Sequence, residues 1–164
     1  MKKKSTQKKD IRILFHNIRS AHNVGAMFRT ADAAGVSRII LSGYTPAPID
    51  RFGRPVKEIA KTALGAELTI PWEYVKEPTD IIAQLKAEGF VVVGIEQDER
   101  AVDYKTYTPP QKTLLLVGSE VEGLSAELRE MCDVLCEIPM HGDKESLNVS
   151  VAFGVALFRL FDRQ

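Results

Sequence analysis

The chain has 164 residues, 45% hydrophobic, 27% charged and 7% aromatic, an ordinary globular composition for about one domain. That excludes a long repeat array, and no apolar stretch approaches the ~18–20 residues needed to cross a bilayer. The basic start MKKKSTQKKD lacks the apolar region of a secretory signal. Two cysteines make no disulfide framework, so we expect a reducing cytoplasm and no membrane partner.

Equal numbers of basic and acidic side chains hide an asymmetry. Lys2, Lys3, Lys4, Lys8 and Lys9 concentrate five charges in the first nine residues, and the other 17 basic side chains face 22 acidic ones. A basic arm on a mildly acidic body suits either a nucleic-acid contact or a solubilising tail. We read 1–10 as a flexible tail and 11–164 as a single domain.

In chain order, IRILFHNI (11–18) reads as a buried strand, because β-branched and large apolar residues crowd a short run. NVGAMFRTADAAG (23–35) reads as a helix with Asn23 as N-cap and Gly35 as its stop. SRIILSG (37–43) is a second strand, and the proline- and glycine-punctuated stretch 43–55 is a long loop. VKEIAKTAL (56–64) is a short helix, and LTIPWEYV (68–75) a strand whose proline favours an edge. PTDIIAQLKAEG (78–89) opens on Pro and closes on Gly, as helices do. FVVVGIE (90–96) and TLLLVGSE (113–120) are buried strands, SAELREMCD (125–133) a helix, and VLCEIPM (134–140) the sixth strand. Continuous apolar strands alternating with helices predict an α/β fold, a mostly parallel six-stranded sheet with helices on both faces.

The last segment, NVSVAFGVALFRLF (148–161), is apolar nearly all round, interrupted after Asn148 only by Ser150, Gly154 and Arg159. Such a helix is buried on more than one side. Either it lies at the centre of the core, or a second copy of the chain covers it; we favour a homodimer.

Ligands of open α/β sheets bind beyond the carboxyl ends of the strands. Four polar or glycine-rich segments lie at such ends: HNIRSAHNVGA (16–26), EQDERAVDY (96–104), GSEVEG (118–123) and MHGDKESLN (140–148). Gly118 and Gly123 let backbone approach a ligand closely. GSEVEG is neither a Walker loop nor a GxGxxG fingerprint, and no serine is framed as G-x-S-x-G. The spacing of His16, His22, His141, Cys132 and Cys136 does not suit a metal, and Cys136 reads as a core residue.

Together these segments are specific. NIRSAHNVGAMFRTADAAG (17–35), LLLVGSEVEGLS (114–125) and IPMHGDKESLNVSVAFGVAL (138–157), in this order, resemble the three motifs of the SpoU–TrmH family of RNA ribose methyltransferases, within the SPOUT superfamily. The resemblance runs over nearly everything from residue 11 onward. It implies a six-stranded, mostly parallel sheet with a deep C-terminal trefoil knot, a homodimer, and S-adenosylmethionine as cofactor. Carried over by position, Gly118, Ile138, Met140 and Leu147 would hold the adenosine, with Ile95 or Glu96 and Gly123 beside them. Asn23, Arg29, Glu120, Ser146 and Asn148 would form the catalytic polar set.

Each of these residues also has a plain structural reading. Asn23, Ser146 and Asn148 sit where helices begin and could be caps, Glu120 could be a solvated turn carboxylate, and Arg29 lies off the Val24–Phe28–Ala31 face. In the family reading Arg29 activates the 2′-hydroxyl, yet guanidinium is a poor base. It either acts with a neighbouring phosphate or orients the hydroxyl. RNA is the implied partner, contacted by the lysine arm and by Arg51, Arg54, Lys57 and Lys61. The compact chain favours tRNA over rRNA. An RNA base methyltransferase and a non-catalytic RNA-binding module are the alternatives.

Overall fold

The structure, a computed structural model, describes residues 8–162. Lys2, Lys3 and Lys4 of the expected RNA-binding arm lie outside the described residues. The strands are β1 (Asp10–His16), β2 (Arg38–Ser42), β3 (Trp72–Val75), β4 (Val91–Ile95), β5 (Val102–Asp103), β6 (Lys112–Val117) and β7 (Val134–Glu137). They form one sheet in the order β3-β2-β1-β6-β4-β7-β5, and every pairing is parallel. The sheet therefore has seven strands, where the apolar runs predict six. The extra one, β5, is a two-residue edge piece, too short to leave a hydrophobic signature.

Among the described residues six helices cover the sheet: α1 (Ala21–Ala34), α2 (Lys57–Ala63), α3 (Ala66–Thr69), α4 (Pro78–Ala87), α5 (Ala126–Met131) and α6 (Val149–Phe161). One core unites Ile13, Phe15, Ile39, Val93 and Leu115 of the sheet with Phe28 of α1, Ile59 of α2 and Phe153 of α6. The opposite face buries Leu14, Ile40 and Leu116 against Ile82 and Leu85 of α4 and Leu128 of α5. A sheet apolar on both sides requires this arrangement.

Several boundaries differ from the sequence reading. Helix α1 starts earlier: Ser20 is its N-cap, accepting from Asn23 N at 3.2 Å, so Asn23 sits in the first turn rather than at the cap. The αL residue Gly35 ends it, as expected. Leu68 and Thr69 belong to the single turn α3 rather than to a strand, and β3 begins only after Pro71, which donates no N–H to a ladder. Asp10, assigned to the tail, is the first residue of β1 and pairs with Lys112.

Strand β7 lies between β4 and β5: Ile95 pairs with Cys136 from one side and Val102 from the other. The 96–101 connection therefore spans β7, a strand the chain adds only later. Periodicity gives no hint of this order. Cys136 is fully buried, as read from its apolar neighbours.

Helix α6 is buried along one side only. Phe153, Ala156, Leu157, Leu160 and Phe161 face the core, with Phe153 edge-on to Phe15 at 5.3 Å between centroids. Val151, Val155 and Phe158 remain exposed. The all-round apolar pattern is thus half explained by the core.

Candidate functional site

The ends of β4, β6 and β7 and the start of α6 surround a cleft of about 250 Å³, near the lower end of the range for small-ligand sites. One wall is the turn 118–124. Its ends are locked by Gly123 N donating to Ser119 O at 2.9 Å and by Ser119 N donating to Gly123 O at 3.2 Å. This closure requires a bare Cα at Gly118, because a Cβ there would collide with the Gly123 backbone. Gly123 is αL, φ 68°, and its Cα lies against the Glu96 carboxylate. Glu96 in turn accepts from Leu124 N at 2.7 Å, tying the turn to the end of β4.

All seven expected cofactor residues, Ile95, Glu96, Gly118, Gly123, Ile138, Met140 and Leu147, line this cleft, with Glu120 and Ser146. Gln97, Phe153 and Ala152 line it too and are missing from the sequence reading. Gln97 Nε2 donates to Glu145 O at 2.7 Å, holding the exposed 141–148 segment against β4. Its place directly after a strand was the available signal. Phe153 and Ala152 read only as core residues of an apolar helix.

Glu120 is the hub of the polar set. Its carboxylate accepts from Arg19 N at 2.9 Å, Ser20 N at 3.1 Å and Asn23 Nδ2 at 3.3 Å. Partial burial pushes the carboxyl upward, but those amides outweigh it and hold Glu120 below its ordinary value. Asn23 Oδ1 accepts from Asn148 Nδ2 at 3.4 Å. Asn148 also caps α6, accepting from Ser150 N at 2.9 Å. Glu120, Asn23 and Asn148 thus join the three motifs across more than a hundred residues of chain. Asn148 both caps and connects; Asn23 connects without capping.

Arg29 stands apart. It is exposed on α1 and lines a separate hollow with Lys61, Thr62 and Phe158, outside the cleft of its own chain. Arg51, Arg54, Lys57 and Lys61 are all exposed, on the loop before α2 and along that helix. Lys8 and Lys9 border another surface with Arg12 and Arg38. Among the described residues no cluster of three or more His, Cys, Asp or Glu could hold a metal ion, and no helix is long and apolar enough to cross a membrane.

The charged side chains lining the cleft are Glu96, Glu120, Glu122 and Glu137, with no Lys or Arg. An acidic cleft with apolar walls and bare backbone suits a flat, largely apolar group that carries positive charge. S-adenosylmethionine, a purine nucleoside whose sulfonium and ammonium outnumber its single carboxylate, fits that description.

Comparison with known proteins agrees. Residues 10–158 match the model of the SpoU rRNA Methylase family. A 23S rRNA (guanosine-2′-O-)-methyltransferase of Ralstonia nicotianae is 39% identical over 89% of this chain and 56% of its own length. The AdoMet-bound rRNA methyltransferase of Sinorhizobium meliloti superposes with a TM-score of 0.82 at 34% identity, covering 94% of this chain and 56% of that one. The TrmH/SpoU tRNA modifying enzyme of A. aeolicus gives 0.79 at 29% identity, covering 94% and 75%. The chain therefore spans little more than half the length of the first two. Its motifs, fold and relatives make the chain a member of the SpoU rRNA methylase family.

Proposed function

We propose that the chain is an S-adenosylmethionine-dependent methyltransferase acting on a ribose 2′-hydroxyl of tRNA or rRNA, as a homodimer in a reducing cytoplasm. The observation that carries this reading is the acidic, apolar-walled cleft tied by Glu120, Asn23 and Asn148 to all three motifs. Relatives named for rRNA and for tRNA both support RNA as the substrate class. The family's deep trefoil knot belongs to this reading, supported by the place of β7 between β4 and β5.

When bound, S-adenosylmethionine supplies a methyl group activated by the sulfonium, so the protein has only to align and deprotonate the acceptor. Ile138, Met140 and Leu147 would hold the adenosine, with the Gly118 backbone approaching it closely. Glu120 is already engaged by three N–H donors, which makes it a positioning group rather than a base. Asn23 and Asn148 hold the start of α1 against the start of α6. Arg29, always protonated, would donate hydrogen bonds to the acceptor ribose and its phosphate. Because Arg29 lies outside its own chain's cleft, we assign it to the cleft of a second copy, docked through the exposed Val151, Val155 and Phe158 of α6.

Nucleoside mass analysis tests the proposal, after incubation with labelled cofactor and a panel of tRNA and rRNA transcripts. A labelled 2′-O-methylnucleoside is expected. A base-methylated nucleoside would move the reaction elsewhere in the superfamily, and no product on any RNA would end the enzyme reading.

A further inference from the structure

We propose that the hairpin 49–55 is a nucleotide-stacking element, in which Phe52 and its two arginines take one unpaired base and its phosphate; this rests on the RNA reading above. Phe52 is 65% exposed. A single exposed apolar residue needs no explanation, but this one is built into a specific arrangement. The guanidinium carbons of Arg51 and Arg54 lie 4.7 and 4.9 Å from its ring centroid.

The loop holding this ring is fixed by its own bonds. Asp50 accepts from Phe52 N at 2.8 Å and from Arg54 N at 3.0 Å, and Arg54 Nε donates to it at 3.0 Å. Asp50 N donates to Arg54 O at 2.8 Å, and Ile49 bridges Pro55. The ring is therefore presented at little entropic expense.

Charge points to the ligand. Asp50 neutralises Arg54, while Arg51 has no ion-pair partner among the described residues. The cluster thus carries one unbalanced positive charge beside an exposed aromatic ring. A nucleotide supplies both complements, a π-surface that stacks on phenyl or guanidinium planes and an anionic phosphate.

Placement agrees. The loop follows the carboxyl end of β2, the sheet edge on which the cleft also opens. Strand β2 lies two places from β6, roughly 10 Å along the sheet at ordinary strand spacing. The hairpin leads into α2, which is seated closely on α1: Thr62 Oγ1 donates to His22 O at 3.0 Å, and Gly25 leaves no Cβ where Thr62 and Ile59 lie. Lys57 and Lys61 then extend the basic surface to the hollow of Arg29.

The test uses the full chain and a short labelled single-stranded RNA of mixed sequence, with an abasic version of the same strand. Phe52→Ala should weaken binding about 5- to 150-fold with the salt slope unchanged. Arg51→Gln should lower that slope by about one. The abasic strand should bind wild type about as poorly as the intact strand binds Phe52→Ala. Phe52→Trp should keep affinity, and RNA should quench its emission above that of Trp72, the sole natural tryptophan. Equal binding by wild type and Phe52→Ala, or unquenched Trp emission, overturns the stack alone. A wild type that binds no RNA overturns the RNA reading with it.

Discussion

Two regions on one edge of the sheet carry opposite charge. Four glutamates and no cation line the cleft, while the 49–61 surface presents Arg51, Arg54, Lys57 and Lys61 against Asp50 and Glu58. A net charge of zero describes neither region; the distribution suits each to a ligand of opposite charge. The two are also held differently. Glu120 reaches Arg19 across 101 residues of sequence, so the cleft exists only when the whole fold does. Asp50 closes its hairpin within four residues, a local structure that presents one face with little help.

Arg29 tests the division most severely, because it lies on the basic side and is assigned a task in the acidic one. Arg29→Ala should keep fold and cofactor binding, since the side chain is exposed. Turnover should fall by about 10²–10³, the usual range for losing one oriented hydrogen-bond donor at the reacting group, with RNA affinity little changed. If KM for RNA rises while kcat holds, Arg29 is a phosphate clamp belonging to the basic surface alone.

Phe158 is the next test, since it shares the hollow of Arg29. Phe158→Glu should yield a folded monomer in sedimentation, with turnover lost alongside. At 49% exposure Phe158 tolerates a charge, whereas Phe161, 7% exposed, would carry it into the core and unfold the chain. A wild type that sediments as a monomer would leave Arg29 with no cleft to serve.

What sequence could show depended on the physical range of each signal. Buried parallel strands, the Gly35 stop and the apolar side of α6 are written in local patterns, and the structure has them. The Asn23 cap failed because Ser20, three residues earlier, accepts from Asn23's own N–H and starts the helix sooner. Strand β5 failed because two residues carry no periodicity. The cleft wall at Gly118, Ile138 and Leu147 came through family resemblance, as no local rule joins residues so far apart. The Glu120–Asn23–Asn148 bridge and the separation of Arg29 arise only in the folded chain.

Glu120→Gln measures how firmly the cleft is tied to α1. Because the carboxylate is solvent-exposed, we expect a loss of only about 1 kcal/mol at neutral pH, less than the roughly 1.5–3 kcal/mol of hydrogen bonds to charged groups. Its folded value lies below the ordinary 4.5, so the stabilisation is present above that pH and fades as pH falls through the folded value. Melting temperatures of wild type and Glu120→Gln should differ at pH 7 and converge below pH 4.5. A constant difference would assign the effect to shape rather than charge.

The smallest expected effect divides the two regions most cleanly. Lys57→Gln removes one cation from the basic surface, so the slope of log affinity for RNA against log salt should flatten by about one. Its affinity for S-adenosylmethionine should not move, because Lys57 lines neither the hollow of Arg29 nor the cleft. Glu122→Gln should do the reverse: it removes one negative charge from the cleft wall and leaves the count of phosphate contacts unchanged. Because the carboxylate is exposed, its attraction for a bound cation is screened, and cofactor affinity should fall only about two- to fivefold. Calorimetry with the cofactor and polarisation titrations with RNA at several salt concentrations check both arms. If each variant changes both ligands, the acidic cleft and the basic surface form one continuous site, and the nucleic acid passes over the glutamates as well as the lysines.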